Sequence, residues 1–126
     1  MRLLPRTLSS TFILVILLVA CEYEKRPVPL VPDIVSFAVD ILPRFESRCA
    51  ISDCHDGVTS ATTPINPILT ADTAYKALWD GGYIDTANPG NSVLYKAVYS
   101  GDMYQNATDE DRAVILEWIK EGAKNN

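Results

Sequence analysis

The chain has a single histidine, and it directly follows a cysteine in the stretch Arg48-Cys49-Ala50-Ile51-Ser52-Asp53-Cys54-His55-Asp56-Gly57. In 126 residues with three cysteines, a lone histidine would follow a cysteine by chance about one time in forty. Two thiols closed by a Cys-His step are the groups that tether a c-type haem. The thiols add to its vinyl groups and the imidazole binds its iron. In this reading Cys49 and Cys54 carry one covalent haem and His55 is the proximal ligand. The competing use of the two cysteines is a Cys49–Cys54 disulfide, an option open to any exported protein. A disulfide, however, has no need of the histidine.

Spacing bears on both readings. Four residues separate the cysteines, where the common haem motif has two. Helical positions three apart lie about 60° apart around the axis, whereas positions five apart lie about 140° apart and rise about 7.5 Å. Either use of the thiols therefore requires the segment to leave the helix and bulge.

A second iron ligand follows by elimination. With no second histidine, the one methionine beyond the first residue, Met103, is the remaining candidate, in a loop between two predicted helices. A thioether there can close the iron and raise its potential, and the alternative is a methionine that fills core. The prolines of Thr63-Pro64 and Asn66-Pro67 lie in the loop after the motif. There a backbone carbonyl can accept the imidazole N–H and fix its tautomer, or the prolines merely stiffen the loop.

The elements that must position these groups read as helices. Asp40 is the predicted cap of a first helix through Ile41, Leu42 and Phe45 towards Cys49, with Pro43 in its first turn. Thr70 is the predicted cap of a second, carrying Ala74, Tyr75, Leu78 and Trp79 and stopping at Gly81-Gly82. Ser92 opens a third over Val93 to Ser100, after the turn residues Asn88-Pro89-Gly90-Asn91. Thr108-Asp109-Glu110-Asp111 starts the last, with Val114, Ile115, Trp118 and Ile119 on one apolar stripe before Gly122. No stretch alternates long enough to require a strand. The expectation is an all-α, cytochrome c-like domain of about four helices around the haem. Tyr75, Trp79, Tyr83 and Tyr95, like Trp118, read as core before they read as a binding site.

Arg2 and Arg6 precede an apolar run from Phe12 to Ala20, too short to span a bilayer and patterned as an export signal. Leu18-Val19-Ala20-Cys21 resembles the bacterial lipobox, which implies removal of residues 1–20 and lipidation of Cys21. Residues 21–32, charged and then proline-rich, read as a tether, and 33–126 as the haem domain. Glu22 in place of aspartate after the lipidated cysteine leans towards the outer membrane over the inner. Loss of the signal leaves 9 basic against 16 acidic residues, a formal charge of −7. That balance disfavours nucleic acid and suits redox partners with basic patches, or serves solubility alone.

The residues resemble the small c-type cytochrome domains of exported bacterial proteins, particularly the planctomycete-type cytochrome c module common in lipoproteins. The matching pieces are Asp40-Ile41-Leu42-Pro43-Arg44-Phe45, Cys49 to Gly57, Pro89-Gly90-Asn91-Ser92-Val93-Leu94-Tyr95 and Trp118-Ile119-Lys120-Glu121-Gly122-Ala123. The resemblance implies covalent haem on Cys49 and Cys54, His55 proximal and Met103 distal. It also implies first and last helices that cross, with Phe45 near Trp118. The family's methionine is usually followed by proline, where this chain has Tyr104.

The expected function is a membrane-anchored monohaem cytochrome that passes single electrons in the bacterial envelope. A six-coordinate iron leaves no position for substrate, which predicts a carrier and not an enzyme. If Met103 does not bind, an open iron would suit gas sensing or peroxide chemistry. A haemless, disulfide-stapled interaction lipoprotein is the third class. A Cys-His nucleophile ranks last, because neighbours in sequence seldom present their side chains to each other.

Overall fold

A computed structural model of the chain describes residues 27–58 and 65–126. The signal segment, Cys21 and the first residues of the tether lie outside the described residues, as does Thr63-Pro64. Four helices, α1 (Leu42–Arg48), α2 (Ala74–Asp80), α3 (Val93–Tyr99) and α4 (Asp109–Lys120), make the domain all-α, with no strand among the described residues. None of these helices is long and apolar enough to cross a membrane. Pro27 to Pro32 carries no regular structure, with Val28 and Leu30 exposed and Val31 packed against the core.

The first helix begins earlier than the sequence suggests, because Pro43 has no N–H to close an ordinary helical bond. The chain takes a π-helical turn over Phe37–Ile41 and then enters α1 with Pro43 in its first turn. Ser36, not Asp40, is therefore the cap. Its hydroxyl accepts from the Val39 amide at 3.3 Å, while the Asp40 carboxylate reaches back to the Ser36 amide at 2.8 Å. The Phe37 and Ala38 amides donate to Asn126, to its side-chain oxygen at 3.0 Å and its main-chain oxygen at 2.9 Å. Every amide from Ser36 to Val39 thus has a partner, as a helix start requires.

The other starts follow the sequence with local differences. Thr70 opens a turn ahead of α2, its carbonyl accepting from Thr73 at 3.0 Å and Ala74 at 2.8 Å. Ser92 precedes α3, but its hydroxyl accepts from the Asp85 amide at 2.8 Å and so ties down the preceding loop. At α4, Thr108 and Asp111 form a reciprocal capping box, with bonds of 3.1 and 2.8 Å.

Trp118 is wholly buried at the centre of one apolar cluster that also holds Ile41, Phe45, Leu78, Val114 and Ile119. The ring packed on it is Phe37 at 5.4 Å between centroids, with Tyr75 edge-on at 6.5 Å. Phe45 is buried in the same cluster as Trp118, and the π turn brings Phe37 inward onto the Trp118 ring as well. Trp79 is 39% exposed rather than core: α2 turns only Ala74 and Leu78 fully inward, leaving Trp79 at the edge beside Tyr75.

Charges join α1 to α4. Arg44 pairs with Glu110 at 2.8 Å, and the Nε atoms of Arg44 and Arg48 lie 3.1 and 3.2 Å from the buried Asp111 carboxylate. Truncating Trp118 to alanine removes the central ring and its Nε1 bond to the Lys124 carbonyl. Trp118→Ala should cost about 3–5 kcal/mol in urea unfolding, against about 1 kcal/mol for Trp79→Ala.

Candidate haem site

α1 ends at Arg48, and the Cys49 and Ala50 amides both donate to the Phe45 carbonyl, at 2.8 and 2.7 Å. Beyond them the chain leaves the helix in a turn closed by the Cys54 amide on the Ile51 carbonyl at 2.9 Å. Asp53 takes φ 63°, a left-handed conformation that aspartate tolerates better than most side chains. The His55 amide then returns to the Cys49 carbonyl at 2.9 Å. The four intervening residues are thus taken up as a bulge, and His55 comes back to the foot of α1.

The imidazole is buried, at 8% exposure, and its Nδ1 lies 2.8 Å from the Pro67 carbonyl oxygen. A carbonyl only accepts, so in the neutral imidazole Nδ1 carries the proton and Nε2 keeps the lone pair a metal needs. Of the two proline segments noted in the sequence, Asn66-Pro67 supplies the carbonyl. The His55 carbonyl accepts from Leu69 at 2.8 Å, so ring and backbone are both anchored to the returning loop.

His55, Cys49 and Met103 all line one cavity of about 630 Å³. Phe45, Leu69, Leu94 and Val98 give it apolar walls. Asn66, Asn91, Lys96, Ser100 and Asp102 add polar groups, but the lining surface is mainly apolar, and the size of the cavity suits an organic cofactor, for which sites of about 300–1,000 Å³ are usual. The residues present therefore fit a haem: a wide apolar cavity, an imidazole with its lone pair free, a thiol and a thioether on the wall. Cys54, half-buried, is not among the lining residues. Both cysteines are free thiols here. Of the four aromatic residues noted in the sequence, Tyr83 alone lines the cavity. Among the described residues no three His, Cys, Asp or Glu side chains converge to hold a metal ion.

Burial pushes the Cys49 thiol up to about 11; the Asp111 carboxylate adds to the shift, the Arg48 guanidinium opposes it, and Cys54 adds a smaller increment. A group whose folded value is raised holds its proton longer in the native state, so its contribution to stability is complete below the unfolded value and is lost as pH climbs to the folded one. Met103 sits in the loop between α3 and α4, half-buried, its amide donating to Ala97 at 3.1 Å and its carbonyl accepting from Asn106 at 3.0 Å. Gly101 lets that loop turn close to α3: a Cβ there would stand 3.0 Å from the Ala97 Cα and 3.1 Å from the Lys96 oxygen.

Sequence reasoning missed Arg112, buried in the first turn of α4. The one signal was its position three residues after Asp109, the helical spacing of an ion pair. No protein-family model, curated protein or solved structure matches the chain.

Two outcomes follow from this geometry. In haem-free protein, alkylation of Cys49 by iodoacetamide should stay slow at pH 8 and rise about tenfold per pH unit until near pH 11, and folding stability should fall over the same alkaline range. Gly101→Val should cost about 1–3 kcal/mol in urea unfolding, because the atoms it meets are backbone.

Proposed function

We propose that this chain is a monohaem c-type cytochrome that carries single electrons at the bacterial cell envelope, held to the membrane by lipid on Cys21. The observation that supports this most is His55, whose ring faces the cavity shared with Cys49 and Met103 while its Nδ1 is held at 2.8 Å by Pro67. A histidine serving only the core would not need a wide cavity beside it.

In this reading Cys49 and Cys54 would hold the haem through thioethers, and His55 Nε2 and Met103 would be its iron ligands. The bound haem supplies a one-electron couple. The protein's part is to orient: Pro67 holds the imidazole Nδ1 and so fixes its tautomer, and the apolar walls of Phe45, Leu69, Leu94 and Val98 would limit the water beside the group. With both His55 and Met103 committed to the group, no position would remain for substrate, which favours electron transfer over catalysis. The acidic surface suits redox partners with basic patches and gives association that weakens with salt. The sequence resemblance to planctomycete-type cytochrome c modules points the same way.

The test is a pyridine haemochrome assay on protein expressed with the c-type maturation machinery. The expected result is a c-type spectrum that survives denaturation and is lost in Cys54→Ala and His55→Ala. A colourless protein of unmodified mass, with Cys49 and Cys54 oxidised to a disulfide, would sink the reading.

A further inference from the structure

We infer that Arg112 is the positioning residue that holds Met103 on the cavity wall, and so sets whether its thioether stays on the iron. This rests on the haem reading above. The Arg112 side chain is only 10% exposed. Its Nε donates to the Val98 carbonyl at 2.7 Å, its Nη2 to the Tyr104 carbonyl at 2.5 Å and its Nη1 to Asp109 at 2.7 Å. The guanidinium also lies over the Tyr104 ring, 4.1 Å from its centroid.

These contacts bracket Met103. The last carbonyls of α3 have no partner within the helix, and the loop consumes them in turn. Lys96 accepts from Ser100 and Gly101, at 3.1 and 2.9 Å, and Ala97 accepts from Met103 itself at 3.1 Å. Val98, which lines the cavity, accepts from Arg112. One planar fork thus binds the end of α3 and the residue immediately after Met103, and ties both to α4.

A merely structural role would not require arginine. Burying a guanidinium is costly, and apolar replacements of buried ionic groups often leave stability unchanged or improved. What an apolar side chain lacks is directional bonding to two carbonyls at once, and lysine lacks the rigid fork. This chain has Tyr104 after Met103, and Arg112 grips both the carbonyl and the ring of that residue.

The experiment uses the full-length, haem-loaded chain and the variants Arg112→Gln, Arg112→Lys and Asp109→Asn. Haem content is read by pyridine haemochrome, methionine ligation by the thioether-to-ferric charge-transfer band, and access to the iron by carbon monoxide binding to the reduced protein. Wild type should show the band and resist carbon monoxide. Arg112→Gln should keep its covalent haem, lose most of the band and bind carbon monoxide about tenfold more tightly, because apparent affinity follows the fraction of open iron. Arg112→Lys should not rescue it, and Asp109→Asn should shift both readouts the same way by less. If Arg112→Gln does not fold, Arg112→Lys decides. An unchanged band and unchanged carbon monoxide affinity in the folded variants would overturn the inference and leave the cytochrome reading intact. A haem-loaded wild type without the band overturns the inference through Met103, and a wild type without covalent haem removes the cytochrome reading as well.

Discussion

The carboxylate of Asp111 lies almost wholly inside the protein, and the arrangement around the cavity depends on how its charge is met. The Thr108 amide and hydroxyl both donate to Oδ2 at 2.8 Å, and Arg44 and Arg48 approach from α1 at 3.1 and 3.2 Å. An uncompensated buried charge is strongly destabilising, so these partners cannot be dispersed without loss. The geometry fixes α1 against the first turn of α4, and α1 carries Phe45 and leads directly into Cys49 on the cavity.

The next residue makes the corresponding grip on another wall. Asp111 binds the side of the cavity that carries the cysteine and histidine, while Arg112 binds the end of α3 and the segment after Met103. Two adjacent residues in one helical turn thus hold both walls to a common support. Apolar packing alone is poorly suited to this task, because it is non-directional and tolerates small slips. Trp118, one and a half to two turns further along α4, anchors the helix itself in the core.

The helices were legible in the sequence because their signals are local. Thr108 to Asp111 specifies its own capping box, Gly81 and Gly101 mark helix ends, and the stripe through Trp118 declares its buried face. The need for a bulge between the cysteines was legible as well, since helical angles alone forbid a regular path. The capping of the first helix was not, because half of it comes from Asn126, 90 residues from Ser36. Nor was the exposure of Trp79, which depends on how much of α2 its neighbours cover. Of the candidate site, the side carrying His55 was readable from one adjacency, Cys54-His55. The opposite side yielded only Met103, because the groups that place it are backbone carbonyls, which leave no mark in sequence.

The two halves of the site differ in how they are held, and the difference has a functional meaning. His55 is fixed through its amide, its carbonyl and its ring by bonds of 2.8–2.9 Å to Cys49, Leu69 and Pro67. Each partner is backbone, so substituting a distant side chain does not remove it. Met103 is fixed through its backbone bonds to Ala97 and Asn106 and by packing against the core; it lines the cavity from a loop that Arg112 grips at the Tyr104 carbonyl. In a redox carrier a rigid proximal ligand keeps the iron in one environment through each change of charge, while the distal ligand adjusts the potential. If the site takes the proposed haem, a fold that commits backbone to His55 and one arginine to the loop of Met103 would leave potential and ligand access open to change by single substitutions, without disturbing the attachment of the haem.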